Sequence, residues 1–164
     1  MDILEIIKQR RSVREYTKQV PCDEDIEKIL DAGRWAPSGL NNQPWRLKII
    51  KDTSQKDALS KYTKYADIIK SAAIVIVVCI NASDSYNWDK DVMATGACIQ
   101  NMCLQAHALG LGTCWLGEIL NKKQQVQDYL ELDEDLNFIA LITLGSPSKK
   151  ITKSSRKSLN DLII

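Results

Sequence analysis

The feature that most restricts this chain is a run of twenty-six residues, Val92 to Gly117, without a single formal charge. A stretch of that length has to be covered, by protein or by lipid. Gln100, Asn101, Gln105 and His107 lie inside it, and such side chains are costly in hydrocarbon without partners. The run is therefore read as a buried central helix ending near Gly110, with no membrane span. Two further runs, Ala72 to Ile80 and Asn137 to Leu144, are apolar nearly throughout and do not alternate. They predict buried strands, the first of them central in its sheet.

The remaining segments supply what would cover those strands. Asp2-Ile3-Leu4-Glu5 reads as a capping box that opens a first helix, with Ile3, Leu4, Ile6 and Ile7 on one face. Asp23, Glu24 and Asp25 start a second, whose inner face is Ile26, Ile29, Leu30 and Gly33. Trp45 to Lys51 reads as a strand, Thr53 to about Lys64 as an exposed helix, Thr113 to Leu116 as a short strand and Asn121 to Leu130 as an amphipathic helix. The order αα-β-α-β-α-β-α-β predicts one sheet sandwiched by helices, α+β or α/β. With 164 residues, a second core would leave each half marginal, so one domain over 1–164 is expected.

Charge narrows the function. The 22 basic and 21 acidic residues balance to a net +1, which argues against a nucleic-acid or anionic-membrane binder and makes any anion site local. Five cysteines at irregular spacing and a single histidine, His107, exclude a zinc finger or ribbon. Reduced thiols and an N-terminus interrupted by Glu5, Lys8 and Arg10 point to the cytoplasm.

Familiar catalytic patterns fail one by one. Gly110-Leu111-Gly112-Thr113-Cys114-Trp115 lacks the third glycine of a dinucleotide fingerprint and follows a helix where a strand is required. Gly112 to Gly117 has phosphate-loop spacing, but Glu118-Ile119 follows in place of Lys and Ser/Thr. His107, between Ala106 and Ala108, is read as a structural histidine bonded to a neighbouring carbonyl. Cys103 and Cys114 are read as buried small hydrophobes, and Asp89 and Asp91 as caps of the long helix. A chain without an evident acid, base or nucleophile can delegate its chemistry to a cofactor.

Two local features remain. In an extended segment, Arg10, Ser12 and Arg14 fall on one side, two guanidinium forks and a hydroxyl that would suit a phosphate with an adjoining polyol. A solvated basic loop pairing with Glu15 or with the acidic helix start explains the same residues equally well. Arg156-Lys157 offers a second basic point. Ser38-Gly39-Leu40-Asn41-Asn42-Gln43, between Pro37 and Pro44, packs amide donors and acceptors that could bond a planar heterocycle. A helix stop plus turn explains its prolines and glycine, but Ser38, Asn41 and Gln43 less readily.

Together these blocks resemble the FMN-dependent nitroreductases. RRSVREY (Arg10 to Tyr16), APSGLNNQPW (Ala36 to Trp45), GLGTCWLG (Gly110 to Gly117) and SSRKSL (Ser154 to Leu159) follow the family's order over nearly the whole chain. The resemblance implies an α+β fold with a central, mostly antiparallel sheet flanked by helices, in an intertwined homodimer with a C-terminal arm, about 155–164, reaching the partner. It implies FMN at the interface, reduced by NAD(P)H and reoxidised by a small electron-poor acceptor, nitroaromatic or quinone-like, in a ping-pong cycle. Arg10, Arg11, Ser12, Arg14 and Arg156 would hold the phosphate and ribityl chain. Pro37, Ser38, Gly39 and Asn41, supported by Gln43, would come from the other subunit. Trp115, Leu116 and Gly117 would line the ring edge, with the Leu116 backbone N–H near the flavin and no catalytic side chain. The chain departs from the family in a short segment between Ile80 and Asp91, in Gly39 where several relatives have serine, and in Ser154. Dehalogenation or flavin cleavage, as elsewhere in the superfamily, or flavin binding without turnover, are the alternatives.

Overall fold

The structure is a computed structural model that describes residues 2–149 and 154–164. In chain order it forms α1 (Ile3–Gln9), α2 (Asp23–Arg34), β1 (Trp45–Ile50), α3 (Thr53–Ser60), α4 (Ala66–Ser71), β2 (Ile74–Asn81), α5 (Trp88–Ala108), β3 (Gly112–Leu116), α6 (Lys123–Tyr129) and β4 (Leu136–Gly145). The four strands make one sheet in the order β1-β2-β4-β3, and each neighbouring pair is antiparallel. β2 and β4 are central, as their unbroken apolar runs require, and a register shift at Val78/Cys79 bends their pairing.

Helices cover both faces. On one side Ile74, Ile76, Val78, Ala140, Ile142 and Leu144 pack against α2 and α5 through Ile26, Ile29, Cys98, Ile99 and Met102. On the other, Val75, Val77, Cys79, Phe138 and Leu141 pack against Leu59, Ile69, Ile119 and Val126. Gly33 lets α2 approach α5: a Cβ there would stand 2.7 Å from Met102 Cγ. The expected α+β sandwich is the observed one.

Several boundaries differ from expectation. Asp2 makes no side-chain cap bond to α1, and Glu5 turns instead to Lys8 and Gln9, so the capping box does not form. The single helix expected from Thr53 to Lys64 ends at Ser60, and a separate α4 precedes the strand. Thr63 is the cause: its hydroxyl accepts the Tyr65 N–H and bonds Glu118, drawing the backbone out of the helix. The strand expected from Ala72 begins at Ile74. The long helix starts at Trp88, ahead of the charge-free run that begins at Val92, because Asn87 caps it by accepting the Lys90 N–H. Glu118–Lys122 forms a 3-10 turn ahead of α6. Among the described residues no helix is long and apolar enough to cross a membrane.

Candidate active site

The basic segment is extended, as its alternation requires. Ser12 bridges Thr113 in parallel, and the Val13 N–H donates to the Thr113 carbonyl at 2.8 Å. The segment thus lies along the free edge of β3. Gly112 makes that approach possible, since a Cβ there would stand 2.5 Å from Val13 Cγ2. Val13 points inward and is buried, while Ser12 is half-buried and Arg14 exposed. Tyr16 anchors the far end, its buried hydroxyl bonding the Val13 carbonyl and Thr143 Oγ1, each at 2.8 Å. Burial pushes that phenol well above its ordinary pKa.

The arginines of this segment have no acidic partners among the described residues. Glu15 pairs with Lys149, Asp23 with Lys51 and Glu24 with Lys28. Glu15, Asp23 and Glu24, three of the acidic residues that could have neutralised a solvated basic loop, are therefore engaged elsewhere. Arg11 donates to the Lys8 and Arg10 carbonyls and so closes the end of α1, leaving its buried Nε without a partner. Arg14 reaches only the Ser12 carbonyl, at 3.4 Å. The two arginines Arg10 and Arg11 lie close enough to His107 to lower its pKa, after burial, which is the larger cause. The expected carbonyl bond to His107 is not formed: its ring makes no hydrogen bond among the described residues. Cys103 and Cys114 are buried, which raises both thiols and leaves them unreactive, as read from the sequence.

The second feature is the loop from Pro37 to Pro44. Leu40, Asn41 and Gln43 adopt φ of 55°, 55° and 47°, three left-handed residues in four positions with no glycine among them. Such strain persists only where surroundings hold it, and it clusters at working sites. Ser38 Oγ accepts the Gln43 N–H at 3.0 Å, and Gln43 Nε2 donates to the Asn41 carbonyl at 3.1 Å. Gly39 is crowded from outside: a Cβ on it would stand 1.8 Å from Tyr86 Oη. The space a side chain at position 39 would take is therefore filled by the Tyr86 phenol from the 80–91 segment. Beside it lies a shallow depression of about 290 Å³, lined by Pro37, Ser38, Gly39, Lys90, Met93 and Ala97.

At the end of β3, Trp115 is exposed along the α5 side, with its ring edge near Gly96, while Leu116 is buried and Gly117 open. A Cβ at Gly117 would meet nothing within 4 Å, so the backbone can be approached closely there. Arg156 keeps its hydrogen bonds within its own segment, to Ser154 and Ser155, and is not brought to Arg10. Nor does one chain unite the two main features. The loop lies against α5 at Lys90 to Ala97, the arginines near Cys103 and His107. Along a helix those positions are separated by about 9–26 Å.

Tyr86 escapes the sequence reading, Asn42 enters it only as one amide of the polar loop, and Asp91 is read there as a cap. It is no helix cap but a fully buried carboxylate that accepts from Asn42, Ser85, Tyr86 and Asn87. Its spacing to Ala94, Thr95 and Cys98, all on the inner face of α5, was the available signal.

A profile of the Nitroreductase family matches residues 7–65 and 54–146. The chain belongs to the nitroreductase family. A Desulfovibrio desulfuricans protein described as a "putative nitroreductase in complex with FMN" is 44% identical and superposes with a TM-score of 0.96, over 100% of this chain and 96% of its own. An Archaeoglobus fulgidus protein named "Putative NADH dehydrogenase/NAD(P)H nitroreductase" is 33% identical over 89% of this chain and 86% of its own length. An NADPH-flavin oxidoreductase of Vibrio harveyi is 27% identical over 89% of this chain and 66% of its own length. The profile match of this nitroreductase-family chain stops at residue 146, so Arg156 and the C-terminal segment lie beyond it.

Proposed function

We propose that this nitroreductase-family protein is a flavin-dependent oxidoreductase in which FMN, reduced by NAD(P)H, passes electrons to an electron-poor nitroaromatic or quinone-like acceptor in a ping-pong cycle. One observation carries the reading: arginines without acidic partners among the described residues lie along β3, in a chain that matches an FMN-bound protein over its full length. The residues fit the cofactor. Arg10, Ser12 and Arg14, with Arg11 and Arg156 as further cations, would hold its phosphate and ribityl chain. Pro37, Ser38, Gly39, Asn41 and Gln43 would bond and cover its ring, and Trp115, Leu116 and Gly117 would border it. Bound FMN supplies the two-electron chemistry, so the chain needs no side-chain acid or base. Its contribution would be orientation and exclusion of water, with the Leu116 backbone bordering the ring.

We assign the same protein to a homodimer of the cytoplasm, with one loop serving the partner's site. The separation of loop and arginines along α5 supports this, as does the apolar surface of one protomer. No residue of α1 is buried, and Ile3, Leu4, Ile7, Trp35 and Met93 are exposed. Leu159 is 76% and Ile163 72% exposed, which suits an arm that packs on a second copy.

Purified protein should be yellow, and pigment released by acid should chromatograph as FMN. NADH or NADPH should bleach it anaerobically and a quinone restore the colour. Colourless protein that takes up no added FMN would overturn the proposal. Deleting Leu159 to Ile164 should impair both dimerisation and FMN retention; a monomer by light scattering that keeps full FMN would refute the shared site.

A further inference from the structure

Asp91 is the only fully buried carboxylate among the described residues, and no cation pairs with it there. One oxygen accepts from Asn42 Nδ2 at 2.8 Å; the other accepts the Ser85 hydroxyl at 2.6 Å and the backbone N–H groups of Tyr86 and Asn87 at 3.2 and 3.3 Å. An ion withdrawn from water is expensive even when so well bonded. The start of α5 does not need it, because Asn87 already caps that helix. What the carboxylate does is join two segments remote in sequence, the left-handed loop through Asn42 and the 85–87 turn. Asn42 Nδ2 also donates to the Asp84 carbonyl at 2.9 Å, and Arg46 and Asn81 both bond the Asp84 side chain. The strained residues Leu40, Asn41 and Gln43 surround Asn42, and the turn carries the Tyr86 phenol that abuts Gly39.

We propose that Asp91 is a positioning residue: through Asn42 it holds the 38–43 loop in its left-handed geometry and sets Tyr86 against Gly39, so that the loop is prebuilt for its ligand. The consequence for cofactor affinity rests on the reading that this loop carries FMN. Burial opposes ionisation of Asp91, but the bonds from Ser85, Asn42, Asn87 and Tyr86 outweigh it and hold the carboxyl below its ordinary range. The strut is therefore charged at neutral pH.

The test uses the full chain with Asp91→Asn and, separately, Asn42→Ala. The second leaves the helix start and the other donors to Asp91 in place, so the proposal stays testable if Asp91→Asn fails to fold. Amide exchange on flavin-free protein should quicken at Asn41 and Asn42, whose N–H groups bond the Ser38 and Gly39 carbonyls, while β2 and β4 keep their protection. FMN affinity should fall about tenfold or more. Exchange that is unchanged in the loop, or quickened equally in the sheet, overturns the strut. A loosened loop with FMN affinity within twofold of wild type overturns its role toward the cofactor. Wild-type protein that takes no FMN refutes the proposed function alone, and the exchange measurement still decides the strut.

Discussion

Residues 10–16 and 38–43 each present polar groups at α5, yet they are held in different ways. The first is an ordinary extended segment: alternation turns Val13 in and Ser12 and Arg14 out, and backbone pairing with Thr113 fixes it. The second is unfavourable in its own backbone and persists because Asp91, reached through the loop's own Asn42, and Tyr86 hold it from outside. A segment fixed by strand pairing should lose function through its exposed side chains and lose shape only when the pairing is blocked. A segment fixed by distant contacts should respond to changes in residues that never touch a ligand.

The largest effect expected on the first segment is functional. Arg10→Ala should fold normally but purify largely without flavin, since a lost charge-assisted bond costs about 1.5–3 kcal/mol, roughly ten- to a hundredfold in affinity. Flavin occupancy unchanged after long dialysis would remove Arg10 from the site and with it the functional half of the comparison.

The two glycines sharpen the structural half. Gly112→Ala drives a methyl into Val13 within 2.5–2.9 Å of three atoms, and Val13 is buried and backbone-bonded. Overpacking of that kind costs about 1–3 kcal/mol. Gly39→Ala meets a closer obstacle on paper, Tyr86 Oη at 1.8 Å, but that phenol is 43% exposed and can swing away. Its stability cost should stay within about 0.5 kcal/mol, the range of surface changes. Thermal melts of the two variants check the order, and a reversed order would mean that Tyr86 is held more firmly than Val13.

The same contrast explains what the sequence revealed. The central strands, the long uncharged helix and the alternation of Arg10, Ser12 and Arg14 follow from periodicity and charge, which are local. The break after Ser60 was hidden because it depends on Thr63 meeting Glu118, fifty-five residues away. The loop's polar residues stood out in the sequence, but their left-handed geometry did not, because it needs Asp91. That residue read as a cap because an acid near a helix start usually is one. Gly39 stands out in the sequence only as a departure from the family, whereas it makes room for Tyr86.

A smaller effect probes the strain directly. Leu40 is 86% exposed and sits at φ 55°, so its side chain gains little from packing while its backbone is strained. The left-handed conformation costs an ordinary residue about 1–2 kcal/mol, and glycine gives back roughly 0.5–1 kcal/mol through its freer unfolded chain. Leu40→Gly should therefore stabilise by about 0.5 kcal/mol in denaturant melts. A clear loss of stability would mean that Leu40 packs on something, and the partner subunit would be the first candidate.

The smallest effect belongs to His107, and it tests whether the arginine segment is electrostatically open. Burial, then Arg10 and Arg11, hold the imidazole below its ordinary pKa of 6.5. The folded form therefore binds its proton less readily than the unfolded chain. The stability this contributes is fully present above about pH 6.5 and is lost as pH falls through the lowered folded value. Arg10→Ala should move the His107 titration, followed by NMR, up toward 6.5, and a bound phosphate anion should move it the same way by screening the same charge. His107→Gln should leave flavin reduction within about tenfold, because removal of a true general acid or base costs a hundredfold or more. A titration that ignores both Arg10 and phosphate would mean that burial alone sets this histidine, and that the guanidinium groups face away from α5.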